Sequence, residues 1–384
     1  MALLAKNIAL KFASIPVIGI RFAELGMKWK LTSRVVTPYK AQNFLLAQRE
    51  LESKAITVRS LPYILHLDTF NSCNLACPFC PTGTKQLVRK KMRLSIDKAK
   101  DVIDAVKSHV LYINLYNWGE PFLNPDIFEI INYASKSGIF TLISSNLSLK
   151  VENLAERVID SGLDDLRVSM DGIEQSTLEK YRRRANCELV LENIRKIVEL
   201  KRKRRTKKPS IQVKFLVFRH NEHEISRLPN LCRELGVDSF TPGQAFVYHE
   251  SFVPRRPDYQ PVQRIFSKPC HYLYTTLTTE ADGHISPCCV NTNARFDLGT
   301  LEDLVDLSRF WNSTKFRAMR AFNAGVEYVS MAGKKEEILC QHCQFIGNEK
   351  YEACKLSPLP PSMIADGEEY DHGLEASSKT LNNA

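Results

Sequence analysis

The sequence predicts an α/β fold built on a parallel sheet of six strand–helix units, (β/α)6, on three observations. Six apolar runs of strand length alternate with helical patterns between Tyr63 and Phe240, and such alternation is typical of a parallel sheet with helices outside. No Gly-x-Gly-x-x-Gly follows the first run, which disfavours a dinucleotide-binding fold. The cysteine-rich and polar segments follow the strands, where a barrel-like sheet carries its working residues.

The individual elements follow from the period of the apolar residues. The predicted strands cover residues 63–70, 111–117, 139–144, 165–170, 211–218 and, as the start of a sixth, 237–240. The predicted helices cover residues 95–109, 125–137, 151–161, 187–205 and 222–235. Ser95 is a typical first residue of a helix, and Gly138, Gly162 and Gly236 are typical ends. Asn221 is a candidate N-cap for the last helix.

Length and charge limit the class of protein. The chain has 384 residues, of which 44% are apolar, enough for two packed domains. Its net charge of +10 first suggests a nucleic-acid or membrane-surface partner. However, residues 1–60 and the run 201–208 each carry +7 and the tail 357–384 carries −4, so the remaining body is neutral. The run 201–208 has no interleaved aromatic residue and is predicted to be a solvated loop, so no nucleic-acid partner is expected.

The two ends of the chain are expected to lie outside the catalytic body. Residues 1–60 form a basic helical segment in which Leu4, Ile8, Phe12 and Ile15 share one face. That face suits peripheral membrane contact or, as the favoured alternative, packing on the protein itself. Neither a signal peptide nor a spanning helix is recognised, so a cytoplasmic location is expected. Residues 61–250 are assigned to the barrel, 265–355 to a second domain, and 356–384 to an acidic disordered tail.

Three of the eleven cysteines follow the first predicted strand. Cys73, Cys77 and Cys80 are spaced C-x3-C-x2-C, and three thiolates on one loop can ligate an iron–sulfur cluster. A cubane with three protein ligands keeps one iron open, as a catalytic centre requires. Zinc would need a fourth ligand, and three thiols without a function would be an unusual core. The cluster is therefore the favoured interpretation.

With Phe79 as the aromatic residue, this segment resembles the signature C-x3-C-x-aromatic-C of radical S-adenosylmethionine (radical SAM) enzymes. The resemblance implies a TIM-like partial barrel and a 4Fe–4S cluster on Cys73, Cys77 and Cys80, whose free iron binds SAM. It further implies reductive cleavage of SAM to a 5′-deoxyadenosyl radical that abstracts hydrogen from the substrate. An electron donor such as flavodoxin or ferredoxin is implied as a partner.

Other segments extend the same resemblance to the SAM-binding residues. The Gly119-Glu120-Pro121 segment after the second strand matches the family segment that holds the methionyl ammonium, which implies this role for Gly119 and Glu120. Softer matches imply SAM contacts for Asn146 after the third strand and Ser169 after the fourth. One arginine of the run 182–184, taken as Arg182, is implied as the partner of the SAM carboxylate.

A second set of cysteines lies near the C-terminus. Cys270 and Cys288 are separated by a predicted hairpin turn at Asp282-Gly283, and Cys340 and Cys343 form a C-x2-C pair. Four thiolates can complete the coordination of a cluster, and zinc is the rival interpretation. The stretch 270–343 resembles the SPASM/twitch domain of some radical SAM enzymes, which implies one auxiliary 4Fe–4S cluster on these four residues. Cys289 is an alternative to Cys288, and Cys187, Cys232 and Cys354 are expected to have no role.

The resemblance leaves the substrate open. The favoured hypothesis is oxidation or epimerisation of a carbohydrate-like small molecule, because the single auxiliary cluster resembles the twitch-type dehydrogenases. The alternatives are a maturase of a ribosomally made peptide or protein and, least favoured, a non-catalytic iron–sulfur protein that binds nucleic acid. No catalytic acid or base is predicted. His249 and Glu250 follow the sixth strand and are candidates by position alone.

Overall fold

The computed structural model describes residues 34–260, 269–327 and 336–343. The predictions for the first 33 residues, the acidic tail and Cys354 lie outside the described residues. In the part described, no helix is long and apolar enough to cross a membrane.

The described strands form one nine-stranded sheet with the order β6-β5-β4-β3-β2-β1-β7-β8-β9. Neighbouring strands from β6 to β7 pair in parallel, and β7, β8 and β9 pair antiparallel. The strands are β1 Ile64–Leu67, β2 Tyr112–Asn114, β3 Phe140–Ser145, β4 Asp165–Ser169, β5 Ser210–Val217, β6 Ser239–Gln244, β7 Thr276–Thr279, β8 His284–Ser286 and β9 Gly299–Thr300. Within the described residues, the six strand–helix units are thus a partial barrel with β6 at one edge, and the C-terminal strands extend the same sheet beyond β1.

Ten α-helices lie in the described part of the chain. They are α1 Pro38–Glu52, α2 Ile96–Val106, α3 Ile127–Lys136, α4 Leu154–Asp160, α5 Gln175–Tyr181, α6 Cys187–Lys203, α7 Leu228–Leu235, α8 Tyr272–Thr275, α9 Leu307–Trp311 and α10 Thr314–Ala324. Ser95 caps α2, because its hydroxyl accepts a hydrogen bond from the Lys98 amide. Gly236 ends α7 in the left-handed region at φ 72°.

The two faces of the sheet have different environments because side chains alternate along a strand. Leu65 and Leu67 of β1 belong to the large core formed with the outer helices. Ile64 of the same strand belongs to a second core that includes Phe44 of α1, so α1 covers the amino-terminal end of the inner face. Nearer the carboxyl ends the inner face becomes polar. It carries His66, Asn114, Ser144, Arg167, Ser169, Lys214 and Thr278, by the strand register.

Two local predictions are wrong. The helix predicted over 222–235 begins only at Leu228, after a 3-10 turn at Glu222–Glu224. Asn221 does not cap it, because its side chain bonds instead to the Phe218 amide (2.7 Å) and the Asp171 carbonyl (2.8 Å). The run 201–208 is a loop in part: α6 extends to Lys203, within the predicted helix 187–205, and residues 204–208 form a mostly exposed turn and loop. Lys201 pairs with Asp238 at 2.6 Å.

Candidate functional site

The loop after β1 carries the three predicted cluster cysteines. Cys77 is buried, and Cys73 and Cys80 are half-buried. Burial raises the pKa of Cys73 to about 11 and that of Cys77 to about 12. Each of these two thiols is close enough to Cys80 to feel its charge. Three thiols are thus gathered in a dry site where a cationic group is needed to keep them as thiolates.

Close backbone approaches fix the shape of this loop. A Cβ atom on Gly83 would lie 2.5 Å from the Cys77 carbonyl oxygen, and one on Gly119 would lie 1.6 Å from that of Phe70. Only glycine fits at either position. The cysteine loop is therefore clamped between its own return at Gly83 and the segment that follows β2.

No three His, Cys, Asp or Glu side chains in the described part of the chain converge as a single metal ion would require. In a 4Fe–4S cluster each thiolate ligates a different iron, so the ligands do not need to converge on one point. The donor set of the loop, three thiols and no carboxylate or imidazole, fits such a cluster.

Glu120 connects the ends of β2 and β3 beside the cysteine loop. Its carboxylate accepts hydrogen bonds from the Ser145 hydroxyl and the Asn146 amide, both at 2.8 Å, and from the Phe122 amide at 3.2 Å. The side chain is buried, and burial raises its pKa to about 7. Because the surrounding partners are neutral donors, the site has room electrostatically for one cation at this carboxylate.

Asn146 and Ser169 lie at the carboxyl ends of β3 and β4, as predicted. The Asn146 side-chain nitrogen lies 3.0 Å from Asn74 Oδ1 and 3.8 Å from Cys73 Sγ, so it also holds the cysteine loop. The Ser169 hydroxyl lies 3.1 Å from that of Ser144 on the neighbouring strand.

The structure distinguishes the three arginines of the run after α5. Arg182 points into the site, where its Nε lies 2.6 Å from the buried carboxylate of Asp171. Burial would lower the pKa of Arg182, but Asp171 and then Cys77 raise it above its ordinary value. Arg183 contributes its carbonyl to the Ala76 amide, and Arg184 is exposed. Arg182 is the arginine of the run that faces the cysteine loop.

Phe79 lies in a group of aromatic rings. Its ring centroid lies 4.8 Å from that of Phe252, 5.6 Å from that of Tyr248 and 5.8 Å from that of Tyr181. This group forms an apolar wall next to Cys80 on the side of the edge strand β6.

The second cysteine set is also brought together. The strand β8 leads into Cys288, and a 3-10 turn at Leu339–His342 presents Cys340. Burial, with a smaller contribution from the charges of Cys343 and Cys289, raises the pKa of Cys270 to about 11. Cys288 in turn is close enough to Cys270 and Cys340 to feel their charges.

The neighbouring Cys289 is differently placed. It is close to the same set, but its thiol bonds to the Tyr272 hydroxyl at 3.2 Å. Cys187 and Cys232, expected to be bystanders, are buried on α6 and α7.

The positional candidates for an acid or base are poorly placed. The His249 ring is already engaged locally, because its Nδ1 lies 2.8 Å from the Ser251 hydroxyl and accepts from the Ser251 amide. Glu250 is exposed. Buried groups that the sequence did not single out lie closer to the centre of the sheet, namely Asp68, Arg89 and Glu280. A carboxylate directly after an apolar strand was the available signal for Asp68, whereas Glu280 follows a threonine-rich strand that the sequence analysis did not predict.

Two family models match the chain. The model described as the radical SAM superfamily matches residues 67–232, and the model described as an iron–sulfur cluster-binding domain, SPASM, matches residues 270–344. The two matches include every predicted ligand cysteine.

Curated proteins with related sequences have several activities. The chain is 28% identical over 185 residues, 48% of its length and 51% of the relative, to the AdoMet-dependent heme synthase of Methanosarcina barkeri. It is 27% identical over 180 residues, 46% of its length and 45% of the relative, to the PqqA peptide cyclase of Bradyrhizobium diazoefficiens. It is 30% identical over 112 residues, 29% and 28% of the two chains, to the mycofactocin maturase MftC of Mycobacterium tuberculosis. The chain thus spans about half the length, or less, of these curated relatives.

Among solved structures, the fold is similar to that of Streptococcus suis SuiB bound to S-adenosylmethionine. The TM-score is 0.57 at 15% identity, covering 86% of this chain and 83% of SuiB. The structure of SuiB bound to its precursor peptide SuiA gives a TM-score of 0.55 at 14% identity, covering 81% and 79% of the two chains.

Proposed function

Because the chain belongs to the radical SAM superfamily and carries the iron–sulfur cluster-binding SPASM domain, we propose that it is a maturase that modifies a peptide or protein. As a radical SAM enzyme it uses SAM, a 4Fe–4S cluster and the auxiliary iron–sulfur chemistry of the SPASM domain. When bound, the reduced cluster supplies the electron that cleaves SAM to methionine and a 5′-deoxyadenosyl radical. Flavodoxin or ferredoxin would deliver that electron.

Different residues of the chain hold SAM and the SAM-binding cluster. Cys73, Cys77 and Cys80 hold the SAM-binding cluster, and Gly119 lets the neighbouring loop approach it. Glu120 accepts the methionyl ammonium, and Arg182 donates to the SAM carboxylate.

The remaining assignments complete the site. Asn146 and Ser169 border the bound SAM, and the aromatic group around Phe79 excludes water from it. Cys270, Cys288, Cys340 and Cys343 hold a single auxiliary 4Fe–4S cluster.

We choose a peptide substrate because of the sheet edge that lies beside the cysteine loop. β6 is an edge strand of the described sheet, and edge strands accept an extended peptide through backbone hydrogen bonds. Beyond it, the aromatic rings of Phe246 and Tyr248 are 50% and 46% exposed, and Tyr248 contacts Phe79 of the cysteine loop. An extended chain along β6 would therefore be led towards the radical site.

The comparisons also support a peptide substrate, rather than the carbohydrate-like substrate that the sequence analysis favoured. One relative is named a peptide cyclase and another a maturase, and SuiB binds a precursor peptide. A heme synthase is also among the relatives, so the substrate class has to be tested directly.

The test uses anaerobically reconstituted full-length protein with SAM and dithionite. Synthetic peptides encoded by short reading frames next to its gene are compared with aminocyclitols and sugars. We expect a peptide to stimulate 5′-deoxyadenosine formation and to change in mass. The Phe246→Ala variant should raise the KM for that peptide several-fold without changing substrate-free SAM cleavage, whereas Tyr39→Ala, which removes an exposed ring on α1, should not. Conversion of a sugar and of no peptide would refute the proposal.

The role of Glu120 gives a second prediction. Glu120→Gln keeps the shape of the side chain but removes the charge that meets the ammonium group, a loss of about 1.5–3 kcal/mol. We expect SAM to bind about ten- to a hundredfold more weakly, measured by equilibrium dialysis at unchanged iron content. Glu129→Gln, on the exposed face of α3, is the control. Unchanged SAM affinity in Glu120→Gln would exclude the proposed contact.

A further inference from the structure

Two carboxyl groups lie side by side at the carboxyl ends of β1 and β7. Leu67 pairs with Thr279 in the parallel register, and the next residues along the two strands are Asp68 and Glu280. The Asp68 amide donates to the Thr279 carbonyl at 2.9 Å, which extends the pairing by one residue. By alternation the two carboxyl groups lie on the inner face, above His66 and Thr278.

This part of the inner face is buried, and several of its polar atoms lack a well-aligned hydrogen bond. Asp68 is 1% exposed and Glu280 is 0% exposed. Among the described residues, their four carboxyl oxygens, Thr278 Oγ1 and Asn114 Oδ1 lack a well-aligned hydrogen bond. The Phe70 and Asn117 backbone amides face Asp68, and the Ser286 side chain faces Glu280, without reaching that alignment. Buried polar atoms are nearly always paired, since leaving them unpaired is costly. Most of these atoms are acceptors, so a proton held between the two carboxyl groups would supply one of the missing donors.

The surrounding charges do not neutralise the pair. Arg89, from the loop after Cys80, is held by Asp297 at 2.5 Å and Asp282 at 3.3 Å, and Glu280 lies 3.8 Å from it. His284 Nδ1 lies 3.2 Å from Asp282 Oδ1, so this ring faces Asp282 and not Asp68 or Glu280. The Arg89 cation is thus shared among more carboxylates than it can balance.

The same environment affects protonation. Burial, and then the charge of Glu280, raise the pKa of Asp68 to about 8, although nearby backbone amides and Arg89 oppose the shift. Burial, together with the charges of Asp297 and Asp282, raises the pKa of Glu280 to about 7, although Arg89 and a hydrogen bond from Ser286 oppose the shift. His66, on the same face, has its pKa lowered to about 4 by burial and His271, so it is neutral. At neutral pH a carboxyl with a pKa of about 8 is mostly protonated and one with a pKa of about 7 is about half protonated, and both ionise as the pH rises.

The carboxyl pair is connected to the loops of both cysteine sets. Asp68 is on the chain segment that leads into Cys73, and the Asn117 backbone amide faces it. With its side-chain amide oriented to satisfy both neighbours, Asn117 donates to the Cys289 carbonyl (3.2 Å) and accepts from Trp118 Nε1 (3.1 Å). One residue thus borders both the carboxyl pair and the loop of the second set.

We propose that Asp68 and Glu280 share a proton and accept the proton that the substrate releases during oxidation. This rests on the proposed function. In the step, the deoxyadenosyl radical takes a hydrogen atom from a substrate C–H bond. The substrate radical then forms a bond to a neighbouring atom, whose proton passes to the ionised carboxyl of the pair. One electron goes to the auxiliary 4Fe–4S cluster, which equals the one electron used to cleave SAM.

The first measurement needs no substrate. Infrared spectra of the reconstituted full-length protein in D2O are recorded as a function of pD. We expect a protonated carboxylic-acid band near neutral pD that declines as the pD rises. The part of the band that comes from Asp68 and Glu280 is lost in the Asp68→Asn, Glu280→Gln double variant, whereas the part that comes from Glu120, whose pKa is about 7, remains. Asp104→Asn, which removes an exposed carboxylate of α2 paired with Lys107, should leave the band. Absence of a band that depends on the pair would overturn the proposal.

The second measurement separates the pair from the proposed function. Asp68→Asn and Glu280→Gln should keep the wild-type iron content and substrate-free 5′-deoxyadenosine formation but lose at least tenfold in peptide product. Asp68→Glu should restore part of it, with a shifted pH profile. Product formation at the wild-type rate in both single variants from about pH 6 to pH 9 would overturn the acceptor role. If wild-type protein converts no peptide, the proposed function fails. The infrared result alone then tests whether Asp68 and Glu280 share a proton.

Discussion

Replacing Cys77 with alanine is expected to abolish SAM cleavage and to lower the iron content from about eight to about four atoms per chain. Cys77 is the buried member of the loop, and its thiol feels the charges of Arg182, Cys80 and Cys73. Two remaining thiolates at the half-buried positions cannot retain a cluster that already has one iron without a protein ligand. Iron assay and quantification of 5′-deoxyadenosine after addition of dithionite measure both effects.

The matched control for this prediction is Cys232→Ala. Cys232 is also a buried thiol, on α7, and its removal should leave the iron content and SAM cleavage unchanged. SAM cleavage at the wild-type rate by Cys77→Ala would show that the loop does not hold the radical-forming cluster.

Local sequence pattern was sufficient for the order of the elements. The apolar runs around Leu65, Ile113 and Ile143 became neighbouring parallel strands, because burial on the outer face required apolar residues at alternate positions. The cysteine loop was predictable for the same reason, since its spacing is local. Helix starts were less predictable, as the late start at Leu228 shows. The candidate N-cap Asn221 instead donates a hydrogen bond to the carbonyl of Asp171, which is distant in sequence.

The contacts between distant segments were not predictable. β7 pairs with β1 although about two hundred residues separate them, and no local pattern specifies such pairing. Arg89 likewise meets Glu280, Asp282 and Asp297 only through the fold. The identity of the arginine that faces the site also required the structure, because the three arginines of the run 182–184 are equivalent as a charge run.

Serine substitutions at Cys288 and Cys289 are expected to have opposite outcomes. Cys288 lies close to Cys270 and Cys340 of the second set, whereas the Cys289 thiol is engaged by Tyr272. Cys288→Ser should therefore lose about four irons and the ability to modify substrate. It should still cleave SAM without substrate, because the first cysteine loop is untouched. Cys289→Ser should retain all of its iron.

This pair of variants also decides between the metals. Iron and zinc are measured in the same samples, together with the electron paramagnetic resonance spectrum of the reduced protein. A second 4Fe–4S signal that is lost only in Cys288→Ser would establish both the cluster and its ligand. Loss of the signal only in Cys289→Ser would transfer the ligand role to Cys289. Bound zinc with about four irons in the wild type would replace the auxiliary cluster by a structural zinc site, and the electron leaving the substrate would then need a different acceptor.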